Sequence, residues 1–284
     1  MLKFIVSNLY GDGIIYDTIM AYLENVHKFS HEDIELYING NLIDRGEDSA
    51  RMLLDVYNRT HEGGSIKVHY LAGKHELMMC KAFLERNNSG AWSSKSIWFA
   101  GHGGSATVSQ LEKLISPDEE EEIGKFICNL QVYHKFNEKL DNRNIVLVHE
   151  KGLERVESNN LNDYINYVNY EDSWNAPKED NFIIEGYRPV RNKSGYEYES
   201  NYNALNIDGG CKNYVCGDNS YDHIPLVELD SQNNRLMLLT FNHNNEITFG
   251  SYFSEGRSLP MNNSELDMYR YFLDKNVKVK KLSF

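Results

Sequence analysis

Three apolar runs near the start of the chain each stop at a short polar loop carrying glycine, and this pattern constrains the fold more than any other feature. Leu2–Val6 runs into Ser7-Asn8-Leu9-Tyr10-Gly11. Glu35–Ile38 runs into Asn39-Gly40-Asn41-Leu42-Ile43-Asp44-Arg45-Gly46, and Ile66–Leu71 into Ala72-Gly73-Lys74-His75-Glu76. Between the runs, Ile19, Met20, Leu23 and Val26 within 16–26, and Met52, Leu53 and Val56 within 50–57, recur at helical spacing. Strand and helix in alternation predict parallel strands covered by helices. Open sheets of that kind carry their chemistry at the carboxyl ends of the strands, so the three loops supply the candidate site.

From Leu77 the pattern turns helical to about Asn137, broken at Asn87-Asn88-Ser89-Gly90 and Gly101-His102-Gly103-Gly104. Ser116-Pro117 followed by the acidic run Asp118–Glu122 reads as a helix N-terminus, where the helix dipole favours negative charge. After Asn144 come short strands at 145–148, 182–185, 204–208, 226–229, 236–241 and 247–253, with Ser231-Gln232-Asn233-Asn234 as a hairpin turn. The stretch 154–195 is poor in aliphatics and reads as surface loop and short helix. From about Glu265, Leu266, Met268, Tyr269 and Phe272 suggest a packing helix, followed by a basic tail at Lys275, Lys278, Lys280 and Lys281. The expectation is one domain over 1–284 with a helical insertion at about 77–140.

With 284 residues and 41% hydrophobic composition the chain can bury a full core. A net charge of −13 disfavours a long nucleic acid as partner, because affinity for a phosphate backbone comes chiefly from Lys and Arg. No run approaches the roughly 18 apolar residues that span a bilayer, and the N-terminus leads into a loop instead of a signal segment; a cytoplasmic protein without membrane contact is expected. Cys80, Cys128, Cys211 and Cys216 form no C-x-x-C pair and read as buried or incidental thiols, not a disulfide framework.

The loops, in order, resemble the signature of calcineurin-like metallophosphoesterases of the phosphoprotein phosphatase type, which includes serine/threonine phosphatases and diadenosine tetraphosphatases. That family writes G-D-x-H-G, G-D-x-x-D-R-G, G-N-H-[DE], an isolated His after a strand, and G-H-T-P. Here the counterparts are S-N-L-Y-G, G-N-L-I-D-R-G, G-K-H-E, V-L-V-His149 and Gly186-Tyr187-Arg188-Pro189. Trp98–Thr107 resembles the family's W-x-x-N-G-G-x-x-T segment, and Asn206-Ile207-Asp208-Gly209-Gly210-Cys211 its N-I-D-T-G-C. The resemblance covers roughly residues 2–253 and implies an α/β fold: a two-sheet β-sandwich flanked by helices.

The resemblance also implies a site. The family's metal ligands fall on Asn8, Tyr10, Asn41, Lys74, His149 and Tyr187, of which only His149 keeps the family residue. Asn41 removes the carboxylate that would bridge two metals, the phenols of Tyr10 and Tyr187 are neutral at ordinary pKa, and Lys74 has no lone pair. No metal cofactor is therefore expected; rescue by Asp12 or Arg188 would require one residue to replace several ligands. What the resemblance retains is Asp44 and His75 as the catalytic acid pair, and Arg45 as a phosphate-binding residue, joined here by Lys74.

These residues lead to a pseudophosphatase: a protein without metal-dependent hydrolysis that binds a phosphorylated ligand, or a protein partner through the insertion. A salt bridge from Lys74 to Asp44 or Glu76 that plugs the site is the plain alternative. One rival is an active phosphoesterase, a protein serine/threonine phosphatase or dinucleoside polyphosphate hydrolase, with manganese or another divalent metal in an altered site. Another is a structural subunit with a vestigial pocket.

Overall fold

The computed structural model describes residues 1–86, 92, 96–150, 159, 180–190, 195–200, 203–221, 223–230, 233–243, 247–254 and 257–260. The N-terminal part alternates as expected: β1 (Leu2–Val6), α1 (Gly13–Ser30), β2 (Ile34–Asn39), α2 (Ser49–His61) and β3 (Ile66–Leu71). The three strands pair in parallel. Four helices follow: α3 (Lys74–Leu84), α4 (Ile97–Gly101), α5 (Gly104–Leu114) and α6 (Pro117–Cys128). Then come β4 (Tyr133–Leu140), β5 (Arg143–Val148), β6 (Asn181–Glu185), β7 (Glu197–Glu199), β8 (Ala204–Asn206), the short α7 (Cys211–Val215), β9 (Ile224–Asp230), β10 (Arg235–Phe241), β11 (Ile247–Ser254) and β12 (Arg257–Pro260).

Two mixed sheets result, flanked by helices in an α/β sandwich. One runs β12-β11-β10-β9-β1-β2-β3, the other β4-β5-β6-β8-β7. In β1 the period of two is visible directly. Phe4 and Val6 join the core under the helices, while Ile5 points into the layer between the sheets with Leu147, Ile184, Leu205 and Val227. Both faces of the sheet are thus buried at β1, as a central parallel strand requires. Phe182 and Phe253, both fully buried, meet at 5.4 Å in the inter-sheet layer; burial of each contributes about 1.5–3 kcal/mol.

The acidic run behaves as read. Ser116 accepts from the Glu119 backbone N–H, and Glu119 reaches back to the Ser116 N–H, so a capping box starts α6. The insertion differs from expectation in its last part. Helix ends at Cys128, and 133–140 is strand. Phe136 and Leu140, four apart, are buried in the inter-sheet layer, with His134 on the same face packed on Tyr37. A spacing of four suits either period, and the pairing with β5 decides it. Asp141 and Asn142, both left-handed (φ 51° and 64°), close that hairpin in the two-residue turn its twist favours. The short strands β7 and β12 were also unanticipated. The expected packing helix beyond Glu265 and most of the 154–195 stretch lie outside the described residues.

The expectation of unpaired thiols is corrected at Cys80 and Cys128, which form a disulfide between α3 and α6 with their Cα atoms 5.1 Å apart. The helices approach closely because Gly124 leaves room for the Phe83 ring: a Cβ there would lie 2.1 Å from it. Their separation of 48 residues carried no spacing signal. Cys211 is buried and Cys216 exposed. Among the described residues no helix is long and apolar enough to cross a membrane.

Candidate functional site

The loops after β1 and β2 are stitched together by their backbones. Asn8 N–H donates to Gly40 O (3.1 Å), Tyr10 N–H to Asn41 O (2.9 Å) and Gly11 N–H to Leu42 O (2.7 Å). Reaching that geometry puts Asn8, Tyr10, Asn41, Asp44 and Arg45 in the left-handed region, with φ between 47° and 76°. Each such non-glycine residue costs on the order of 1 kcal/mol or more, and concentrations of them mark functional sites.

Glu76 anchors the arrangement. Fully buried, its carboxylate accepts from the backbone N–H groups of Asn41, Leu42 and Gly73 and from the Tyr70 hydroxyl, all at 2.6–3.0 Å. Those four donors satisfy a buried charge that would otherwise be costly. Glu76 therefore fixes the second and third loops against one another.

Asn41 occupies the centre. Its Oδ1 accepts from the His75 backbone N–H at 3.0 Å, which settles the amide orientation, since an N–H cannot donate to the NH2 end. Nδ2 therefore faces Asn8 Oδ1 (2.9 Å), the Tyr10 hydroxyl (2.8 Å) and His149 Nε2 (2.9 Å). His149 Nδ1 lies 2.8 Å from the Asn39 carbonyl, which can only accept, so the proton sits on Nδ1 and the Nε2 lone pair takes the Asn41 donor. Burial lowers the His149 pKa, in keeping with a neutral ring. The Asn8 amide in turn donates to the Gly186 carbonyl.

These residues do not fit a pair of divalent cations. Where the family places a bridging carboxylate, Asn41 presents N–H protons, and the surrounding acceptors already turn toward them. Burial first, and then Asp208 and Glu76, raises the Tyr10 pKa well above 10; burial and then Glu150 raise that of Tyr187. Neither phenol supplies an anionic oxygen. Asp12 is committed elsewhere, capping α1 through Ile15 N–H and bonded to His243. Among the described residues no group of three or more His, Cys, Asp or Glu side chains is placed to hold a metal ion.

Asp44 and His75 do meet. Asp44 Oδ2 is 2.6 Å from His75 Nδ1, and the carboxylate also accepts from Trp98 Nε1–H at 2.6 Å and the Thr107 hydroxyl at 2.5 Å. Both donors come from the insertion, which accounts for its Trp and Thr in the family-like segment. The edge of the Tyr10 ring contacts His75 at a centroid distance of 5.0 Å. Gly103 (φ 98°) lets the insertion touch this loop, since a Cβ there would lie 2.8 Å from Arg45 N.

A cavity of about 350 Å³ opens beside this network, lined by Tyr10, Asn41, Lys74, His75, His102, His149, Tyr187, Arg188 and Lys212. Arg45, expected to line it, does not. It is half-buried on a left-handed backbone, and its buried Nε has no hydrogen-bond partner among the described residues. Lys74 is exposed and makes no ion pair with Asp44 or Glu76, whose oxygens are taken by the donors above. The plugged site is thus not observed. Lys212 and His102 were missed as site residues, although His102 lies within Gly101-His102-Gly103-Gly104 and Lys212 directly follows the Asn206–Cys211 stretch. Burial chiefly, then His75 and the cations Arg45, Lys74 and Lys212, lowers the His102 pKa. Two carboxyl groups lie within electrostatic reach. Burial raises the Glu150 pKa, opposed by Lys74 and Arg188, and pushes fully buried Asp208 to about 7, opposed by hydrogen bonds from Gly210 and Asn8.

No family model and no curated protein matches the chain. Solved structures do. A cold-active protein-tyrosine phosphatase of a psychrophile, Shewanella sp., is 14% identical, with a TM-score of 0.51 over 91% of this chain and 80% of that one. A second structure described as a cold-active protein tyrosine phosphatase gives 14% identity and a TM-score of 0.52 over 87% and 77%. A metallophosphoesterase from Sphaerobacter thermophilus superposes more loosely, at 10% identity and a TM-score of 0.41 over 98% and 97%. The likeness to the two phosphatases shows a shared fold.

Proposed function

We propose that this chain is a degenerate member of the calcineurin-like metallophosphoesterases, of the phosphoprotein phosphatase type, that has given up two-metal hydrolysis and acts by binding a phosphorylated ligand. The observation that carries this reading is the lining of the cavity: Lys74, Arg188 and Lys212 all line it. Ammonium and guanidinium groups are strong partners for phosphoryl oxygens, and a concave site concentrates their field in an otherwise acidic protein. A cytoplasmic location belongs to the proposal.

One observation favours the rival of an active phosphoesterase: the Asp44–His75 pair is intact. Two measurements separate the readings. Elemental analysis of protein purified without chelator should give well under one equivalent of transition metal, and an aryl phosphate should not turn over with added manganese. Calorimetric titration with inorganic phosphate in a chelator should saturate, weakening as salt is raised. Manganese-dependent turnover abolished by His149→Ala would establish the rival. Absence of a saturable response to phosphate would leave a structural subunit with a vestigial pocket, or binding to a protein partner through the insertion.

A further inference from the structure

We propose that His75 is a phosphoryl acceptor, taking a phosphoryl group onto Nε2 without metal; the inference rests on the anion-binding reading of the same cavity. The geometry supplies each requirement for a nucleophilic imidazole. Asp44, with no exposed surface, is held by Trp98 Nε1–H and the Thr107 hydroxyl, so its carboxylate cannot swing away. It accepts from His75 Nδ1, which fixes the tautomer with the proton on Nδ1 and leaves the lone pair on Nε2. That nitrogen has no hydrogen-bond partner among the described residues, and His75 lines the cavity that Lys74, Arg188 and Lys212 also line. His149, the other buried imidazole there, has its Nε2 lone pair occupied by Asn41. Of these two rings, only His75 pairs a fixed Nδ1–H with a lone pair left for reaction.

The step balances without a cofactor when the donor is an acyl phosphate. Nε2 donates its electron pair to phosphorus, the P–N bond forms, and the P–O bond breaks with its electrons leaving on a carboxylate that requires no proton. The ring becomes cationic, still carrying its Nδ1 proton, and Asp44 stabilises that charge directly. Lysine and arginine side chains offset the negative charge of the phosphoryl oxygens as the donor approaches. In the family's chemistry a metal-bound oxygen is the nucleophile; here Asn41 stands at the bridging position, and the imidazole offers the available electron pair.

The test is incubation of the full chain with acetyl phosphate in the presence of EDTA, read by intact mass and by site mapping of the adduct. The expected result is a single phosphoryl group on His75, labile in acid and stable in alkali. Asp44→Asn should slow its formation by about tenfold or more, because the asparagine favours the wrong tautomer, while circular dichroism and the unfolding midpoint report whether the variant folds. The wild-type mapping decides the matter even if that variant does not fold. Saturable phosphate binding with no adduct, or an adduct on another side chain, would overturn this inference and leave the anion-binding reading standing. Loss of both phosphate binding and adduct would overturn the two together.

Discussion

Asn41 Nδ2 and His149 Nε2 lie 2.9 Å apart with the amide as donor, so the buried imidazole is held by the asparagine at the centre of the network. The same amide faces Asn8 Oδ1 and the Tyr10 hydroxyl. Substitution to aspartate would therefore set a carboxylate against an amide oxygen and an imidazole lone pair. Asn41→Asp is expected to lower unfolding free energy by about 1–3 kcal/mol, the cost of buried polar groups left unpaired, and manganese should not restore it. Combining it with Asn8→Asp, Tyr10→His, Lys74→Asn and Tyr187→His should produce manganese-dependent stabilisation, since ligands of one centre act as a unit. Urea denaturation with and without manganese measures both; a fully folded quintuple variant indifferent to the metal would show that the loops are wrongly matched to the family.

The family resemblance implies phosphate binding for Arg45 and assigns no role to Lys212. Lys212 lines the cavity and Arg45 does not. Lys212→Ala should weaken phosphate binding by roughly 1.5- to 5-fold, the scale of a partly exposed ionic contact. Arg45→Ala should change affinity by less than that. A titration in which Arg45→Ala is the more damaging of the two would restore the original assignment.

Stability should depend on pH in two opposed ways. His69 and His134, half-buried, and His149, buried, all have pKa values lowered from 6.5, in each case by burial first. A lowered value means the unfolded chain binds protons that the fold excludes. Their contribution is complete above about pH 6.5 and declines as pH falls through the folded values. Asp208 works the other way. Its pKa is raised to about 7 from 3.8, so its contribution is complete below 3.8 and is lost as pH rises toward 7. Asp208→Asn, which keeps an acceptor for the Gly210 N–H, should stabilise the protein at pH 8 by more than about 1 kcal/mol and by progressively less toward pH 4. Equal effects at both ends of that range in urea titrations would refute the assignment.

The N-terminal alternation was legible because each strand is apolar and each helix shows its stripe; α1 and α2 enclose the segments read from Ile19–Val26 and Met52–Val56. The loops were legible because loop chemistry is local: Asn41 and Asp44 follow β2, His75 follows β3 and His149 follows β5. What could not be read was tertiary. Lys212 lines the cavity from α7, and Arg45, on a left-handed backbone beside Gly103, does not line it. In β4, Phe136 and Leu140 fit a helix as well as a strand until β5 pairs beside them. The Asp141-Asn142 turn was the local signal that would have resolved it.

The Cys80–Cys128 pair joins α3, whose first turn carries Lys74 and His75, to the end of α6. A crosslink closing a loop of 48 residues restricts the unfolded chain, a contribution of about 2–4 kcal/mol. Adding a reductant should lower the urea midpoint accordingly, and a thiol count on denatured, untreated protein should rise on reduction. The cavity should respond differently, because the start of α3 is held separately by Glu76 through the N–H groups of Gly73, Asn41 and Leu42. Phosphate affinity below the unfolding transition is therefore expected to stay within about twofold on reduction, a change under about 0.5 kcal/mol. A parallel fall in affinity and stability would mean that the disulfide, and not Glu76, positions Lys74 and His75.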